Sequence, residues 1–313
     1  MKKILITPRS FSRYGNQSVQ YIQSKGYEVI INQTGAPYSY EEFCKLASDV
    51  EGIILGVDLV DKPMLQKAKN LRAISRFGVG IDNIDVETAN QLGIKIARAV
   101  GSNSTSVAEL TVGFLFMLAR NLIDNVNAVK TGLWEKNSGN ELCGKTIGLI
   151  GLGAIGRKVA AITQGLGMET IGYDPFVDKD EVKQQSNIDV LDFNDVLRKS
   201  DYISLHLPLN TNTEGIMNKA SFALMKNSAY LINTARGGLI NEDDLYDALA
   251  DYKIAGAAAD VLATEPPDKN AKLLTLKNFF LSPHIASLTL AAEKNTIDLA
   301  TKNLLQMLEN ELI

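Results

Sequence analysis

TIGLIGLGAIGRKVAAITQGL (146–166) decides the fold. TIGLI is a short β-branched, apolar run bounded by glycine, as a buried strand is, and RKVAAITQGL has helical spacing. Between them GLGAIG sets Gly151, Gly153 and Gly156 in G-x-G-x-x-G order. Glycines are common in turns, so the spacing alone says little; the strand before it and the helix after it give it meaning. Gly151 permits the tight turn, Gly153 lets the backbone approach a pyrophosphate, and Gly156 lets the helix close on the sheet. The helix start, with Ala154 and Ile155, offers free N–H groups and the positive end of a dipole to phosphate. A second strand, ETIGYD, ends at Asp174, 21 residues past Gly153, against the roughly 20 expected of a ribose-binding acid. A carboxylate there accepts from both ribose hydroxyls and repels a 2′-phosphate, which points to NAD rather than NADP. Arg157 reads equally as a pyrophosphate contact and as a surface cation.

Outward from this segment the same alternation continues in both directions. Downstream come DYISLHLP, AYLINTAR, IAGAAADV and NFFLSPHI. Upstream, KILIT (3–7), EVII (28–31), GIIL (52–55) and RAIS (72–75) alternate with helical stretches. Strand and helix in turn predict parallel sheets with helices on both faces. The fold class is therefore α/β, with two doubly wound, Rossmann-like units. A length of 313 residues suits two domains, at roughly 150 residues each. One long helical segment, Ser104 to Thr131, is apolar nearly all round in its first half. Such a helix must be buried, either in a domain core or against a second subunit. A last helical pattern, Leu290 to Leu312, hints at a return to the first domain.

The net charge of −4 gives no basic surface for nucleic acid or an anionic membrane. The longest apolar run, Val107 to Ala119, is interrupted by Glu109 and falls short of the roughly 20 residues a membrane span needs. Two cysteines, Cys44 and Cys143, make no disulfide framework and suit a reducing, cytoplasmic setting. No metal is called for.

His206 and His284 are the only histidines. Both fall at strand ends, where open α/β sheets bind ligands. Removing hydride from an alcohol requires a group that takes the hydroxyl proton, and the reverse reaction requires a donor; a histidine near neutrality does both. A neighbouring carboxylate orients the ring, and arginine is the fitting bidentate partner of a substrate carboxylate. His284, Glu265 and Arg236 would meet these needs, although spacing alone does not single them out.

The stretches SRFGVGIDNID (75–85), NSTSVAELT (103–111), GKTIGLIGLGAIGR (144–157), IGYDP (171–175), NTARGGLINEDDL (233–245), AAADVLATEPP (257–267) and SPHIAS (282–287) resemble the D-isomer-specific 2-hydroxyacid dehydrogenase family. The resemblance implies that Arg236 holds the substrate carboxylate, Glu265 pairs with His284, and His284 transfers the proton. It implies that Asp260 contacts the nicotinamide amide and that His206, Pro208, Thr234 and Ala235 line the cofactor. Val79 and Gly80 would hold the substrate carboxylate through backbone N–H groups, with Arg76 beside them. It also implies a substrate-binding domain of 1–98 and 286–313, an NAD-binding domain of 99–285 inserted into it, and a homodimer through the NAD-binding domain.

The implied substrate pair is 3-phosphoglycerate and phosphohydroxypyruvate, in serine biosynthesis. Hydroxypyruvate or glyoxylate reduction is the alternative, and an NAD-sensing, corepressor-like binding protein a remote one. The family's phosphoglycerate-specific members carry basic residues after the third strand, where this chain has Gly56, Val57 and Asp58. Arg9, in TPRS after the first strand, is the candidate cation for a phosphate. A chain ending at Ile313 is expected to lack the C-terminal regulatory domains of long phosphoglycerate dehydrogenases.

Overall fold

The computed structural model describes residues 2–309. The chain divides into two compact units, one formed by Met1–Asn103 with Leu288–Ile313 and the other by Ser104–Ser287. The second unit is thus inserted into the first. Residues 99–103 are bonded into the first unit: the Ala99 N–H donates to the Arg76 and Gly78 carbonyls, and the Ser102 hydroxyl meets that of Thr296.

The first unit is built on five parallel strands: β1 (Lys2–Ile6), β2 (Tyr27–Ile31), β3 (Gly52–Leu55), β4 (Ala73–Arg76) and β5 (Lys95–Arg98), in the order β2-β1-β3-β4-β5. Successive side chains point to opposite faces, and both faces are covered. Leu5, Ile53, Leu55 and Ile74 pack into one cluster, and Ile4, Ile6, Ile54 and Ala73 into the other. That explains why these strands read as continuous apolar runs rather than alternating ones. Each fully buried side chain of this kind contributes about 1.5–3 kcal/mol. The helix Leu290–Glu309 closes the second face, with Leu304 and Leu308 against Gly52. The predicted end of this helix at Leu312 lies outside the described residues.

The inserted unit has seven parallel strands: β6 (Thr146–Ile150), β7 (Glu169–Tyr173), β8 (Asp189–Val190), β9 (Tyr202–Leu205), β10 (Tyr230–Asn233), β11 (Gly256–Ala259) and β12 (Phe279–Leu281). Their order is β12-β11-β10-β9-β6-β7-β8. The reversal on either side of β6 opens a crevice at its carboxyl end, which is where doubly wound sheets bind dinucleotides.

Three elements depart from the sequence reading. β5 and β8 carry no apolar run and lie at sheet edges. The segment 104–131 is two helices, Ser104–Ala119 and Leu122–Lys130, bent by 66°. Asn121 takes a left-handed conformation at the break, with φ 48°, which asparagine tolerates better than most residues. The first helix belongs to the core of its own unit: Ala108, Val112, Leu115 and Leu118 pack with Ile147, Leu149 and Val159. The second buries none of its residues.

Candidate functional site

The carboxyl edge of the seven-stranded sheet gathers most of the residues picked out in the sequence. The glycine loop follows β6, Asp174 follows β7, and His206 and Pro208 follow β9. Thr234, Ala235 and Arg236 follow β10, Asp260 and Glu265 follow β11, and His284 follows β12.

The three loop glycines are required for three different reasons. Gly151 has φ +103°, and a Cβ there would sit 2.7 Å from the His206 carbonyl oxygen. A Cβ on Gly156 would sit 2.2 Å from the Gly151 carbonyl oxygen, so only glycine brings the helix Ala154–Gly165 so near the turn. A Cβ added at Gly153 would meet nothing within 4 Å among the described residues, and its backbone is ordinary extended structure. No group among the described residues requires a glycine there. The open space before a helix N-terminus fits the close approach of a pyrophosphate. Asp174 fits the same ligand: Oδ2 accepts the Leu152 N–H at 3.0 Å and Oδ1 the Phe176 N–H at 3.0 Å, which fixes the carboxylate beside the loop. Arg157 is occupied structurally, with Nε donating to the Leu152 carbonyl and Nη1 to Gln185.

His206 Nε2 meets the buried Ser204 hydroxyl at 3.0 Å, and its Nδ1 is buried without a hydrogen-bond partner among the described residues. Burial disfavours the charged ring and pushes its pKa down to about 4, so His206 is neutral at pH 7. Pro208 is exposed, and its carbonyl accepts the Thr213 hydroxyl. The Thr234 hydroxyl lies 2.9 Å from that of Thr111 on the core helix. Asn233 shapes the next turn through its side chain, accepting the Ala235 N–H and donating to the Arg236 carbonyl. The sequence reading passed over Asn233 and Ser204. An asparagine at a strand end, two residues before a turn N–H, is a recognisable signal for such a cap; a serine inside a strand is not.

His284 and Glu265 are brought together. His284 Nδ1 is 2.7 Å from Glu265 Oε2, while Glu265 Oε1 accepts the Leu262 N–H at 3.0 Å. The carboxylate is therefore held by the backbone on one side and holds the ring on the other. Nε2 has no hydrogen bond among the described residues and stays available. His284 adopts a left-handed conformation, φ 54°, which strains a non-glycine residue by about 1–2 kcal/mol. Asp260, almost wholly buried, supports it. Its Oδ1 accepts the Ile285 N–H at 2.8 Å and the Ser282 hydroxyl, its Oδ2 accepts the Ala286 N–H at 2.7 Å, and its backbone carbonyl accepts the His284 N–H at 2.9 Å. The aspartate thus clamps the turn that presents the histidine. Arg236 lies at the end of β10, beyond β11 from the histidine's strand, half-buried, with Nη1 donating to the Ala235 carbonyl at 2.7 Å.

In the first unit the remaining residues also lie at strand carboxyl ends. After β4, Gly78 has φ +140°, and no hydrogen bond among the described residues uses the Val79 or Gly80 N–H. Two adjacent free donors in a glycine turn suit an anion. Arg76 Nη1 donates to the Leu55 and Phe77 carbonyls and stiffens this turn. After β1, Arg9 is exposed and reaches the Gly35 carbonyl at 3.4 Å. After β3, the Gly56 N–H donates to Thr7, and Asp58 is buried with Oδ1 unpartnered among the described residues.

Fold and site together define a dinucleotide-binding α/β protein whose nucleotide unit carries an imidazole–carboxylate pair. Residues 112–286 match the family described as D-isomer specific 2-hydroxyacid dehydrogenase, NAD binding domain. The chain belongs to that family, and its inserted unit is the NAD-binding domain. It is 42% identical over 256 residues to D-3-phosphoglycerate dehydrogenase of Methanocaldococcus jannaschii, a match covering 81% of this chain and 48% of the relative. It is 38% identical over 268 residues to hydroxypyruvate reductase of Thermotoga maritima, covering 84% and 86%. The crystal structure of a glyoxylate reductase from Paecilomyes thermophila superposes with a TM-score of 0.88 at 27% identity, covering 99% of this chain and 96% of that one. The chain spans about half the length of the phosphoglycerate dehydrogenases it matches.

Proposed function

We propose that the chain catalyses reversible, NAD-dependent hydride transfer at C2 of a small D-2-hydroxy acid, with 3-phosphoglycerate and phosphohydroxypyruvate as the pair, in cytoplasmic serine biosynthesis. The observation that carries the reading is the His284–Glu265 contact at 2.7 Å on the sheet edge that also holds the glycine loop. Bound NAD supplies the hydride acceptor, or as NADH the donor. Gly151–Gly156 would hold its pyrophosphate and Asp174 its ribose hydroxyls, beside the segments of His206, Pro208, Thr234 and Ala235. His284 Nε2 takes the hydroxyl proton in oxidation and returns it to the carbonyl oxygen in reduction. Glu265 fixes the ring through Nδ1 and stabilises the imidazolium. Arg236 pairs with the substrate carboxylate.

Asp260 acts through the turn it clamps; its carboxylate oxygens are already engaged by 282–286, so contact with the nicotinamide amide would have to share them. For the unit formed by both termini the proposal is substrate binding, with the free N–H groups of Val79 and Gly80 as anion donors, Arg76 behind them and Arg9 as the phosphate's cation. One observation favours the second reading, reduction of unphosphorylated hydroxypyruvate or glyoxylate: the turn after β3 offers buried Asp58 and no cation. NADH oxidation with phosphohydroxypyruvate, hydroxypyruvate, glyoxylate, pyruvate and 2-ketoglutarate separates the readings. Turnover of none of them refutes the activity; preference for hydroxypyruvate or glyoxylate over the phosphorylated acid selects the second.

The proposed partner is a second copy. Leu122, Ile123, Val126 and Val129 of the second bent helix, with Leu133 and Trp134 just beyond, are exposed, and a contiguous apolar face of this kind marks an interface. Sedimentation at micromolar concentration should show a dimer.

A further inference from the structure

The segment that carries Glu265 has little structure of its own. Residues 260–271 form neither helix nor strand. Among the described residues no backbone–backbone hydrogen bond involves 261–265. Glu265 takes the Leu262 N–H, but that bond lies within the segment. Among the described residues one hydrogen bond from outside holds this stretch of backbone: Glu242 Oε1 accepts the Ala263 N–H at 2.7 Å. Beside it the packing is as close as a backbone allows. A Cβ on Gly237 would sit 1.9 Å from the Leu262 carbonyl carbon and 2.2 Å from the Ala263 nitrogen. Gly237 and Glu242 both belong to NTARGGLINEDDL (233–245), of which the proposed chemistry uses only Thr234 to Arg236.

Glu242 stands on a fixed base. It opens the helix Glu242–Ala250. The preceding Asn241 donates its N–H to the Met217 carbonyl at 2.9 Å, and its side chain caps the helix by accepting the Asp244 N–H at 3.1 Å. A carboxylate in a first helical turn complements the helix dipole, but Asp243 and Asp244 stand in the same turn and supply that charge already. What sets Glu242 apart is its reach to Ala263. We infer that Glu242 is a positioning residue for the proton transfer: by holding the Ala263 N–H it sets the backbone from which Glu265 meets His284 Nδ1. The stretch that begins at Arg236 thereby fixes the carboxylate as well as the arginine. This role rests on the hydride-transfer reading above and adds no new contact with substrate or cofactor.

The test compares the whole chain as wild type, Glu242→Ala and Glu242→Gln. Glutamine keeps an oxygen for the Ala263 N–H and drops the charge; alanine drops both. His206 and His284 are the only histidines, so nitrogen NMR of isotope-labelled histidine sees two rings, and His284→Ala assigns them. In alkaline buffer, where the ring is neutral, a hydrogen bond to one ring nitrogen decides which nitrogen keeps the proton. Wild-type His284 should carry it on Nδ1, facing Glu265. Glu242→Ala should shift the ring toward the Nε2-protonated form and lower kcat by about 10- to 100-fold, the scale of misplacing a reacting group by about 1 Å. NADH affinity, followed by fluorescence titration, should not change. Glu242→Gln should restore both the Nδ1-protonated form and kcat. A wild type that reduces none of the 2-keto acids above refutes the hydride-transfer reading and any role for Glu242 in it. If wild type turns over but Glu242→Ala keeps the Nδ1-protonated ring and kcat, the reading stands and the inference is overturned. The same follows if wild-type His284 carries its proton on Nε2, or if Glu242→Gln is as impaired as Glu242→Ala. It follows too if both variants merely melt at lower temperature, since Glu242 would then serve its helix through charge alone.

Discussion

His284 carries the strictest geometric demand at the scale of single residues, and two substitutions separate its chemistry from its placement. His284→Ala removes the proton carrier and should lower kcat by about 10²–10⁴-fold while NADH binding, followed by fluorescence titration, persists; a kcat within threefold of wild type contradicts the assignment. Asp260→Asn keeps the shape but puts an amide NH₂ in place of one carboxylate oxygen, so that it faces either the Ala286 N–H at the Oδ2 position or the Ser282 hydroxyl and Ile285 N–H at the Oδ1 position. Leaving buried donors unmatched costs about 1–3 kcal/mol each. Urea unfolding should report that loss, and kcat should fall with it as the left-handed turn relaxes. Arg9→Ala should raise KM for phosphohydroxypyruvate about 10- to 150-fold, the worth of one charge-assisted contact, and leave KM for hydroxypyruvate nearly unchanged. Equal small changes for both would retire Arg9 as a phosphate ligand.

At the scale of elements, the glycine loop makes a paired prediction. Gly156→Ala drives a Cβ to 2.2 Å from a backbone oxygen and should destabilise the apoprotein by about 1–3 kcal/mol. Gly153→Ala meets nothing within 4 Å and leaves φ favourable, so apoprotein stability should stay the same or rise by up to about 1 kcal/mol. NADH affinity should nevertheless drop sharply in Gly153→Ala, because the added methyl fills the space a pyrophosphate needs; unchanged affinity would place the phosphates elsewhere. This loop was legible in the sequence because spacing, strand and helix agreed. β5 was not, since KIAR (95–98) has a charge at each end and lies at a sheet edge. Nor was the break at Asn121: hydrophobic periodicity runs through it, and only the backbone shows the left-handed turn. In the site, the His284–Glu265–Arg236 trio came from family resemblance rather than spacing. The clamp at Asp260 could not be read at all, because three hydrogen bonds to residues 22–26 positions away leave no local pattern.

For the whole molecule, one part-buried histidine, with its Nδ1 shut off from water, imposes a pH dependence. His206 is held neutral with a pKa of about 4, against about 6.5 when unfolded. Between those values the unfolded chain binds a proton that the folded chain refuses. Stability is therefore full above pH 6.5 and falls as the pH drops toward 4, by roughly 3 kcal/mol from this group. Urea midpoints of wild type and His206→Asn should converge across that window as the pH falls; parallel curves would show that the ring is solvated and titrates normally.

The helix Leu290–Glu309 gives the first unit a peculiar history during synthesis. Domains nearest the N-terminus ordinarily fold first on the ribosome. Here the strands through residue 98 emerge with one face unfinished, because Leu304 and Leu308, which cover Gly52, are made more than 200 residues later. At translation rates of roughly 5–20 residues per second, that interval is on the order of ten seconds or more. Through it the nascent sheet waits with apolar residues uncovered, while the inserted unit has every strand it needs before the last helix exists. The chain's order of maturation is thus inside out, and the vulnerable moment for aggregation or chaperone capture belongs to its earliest residues.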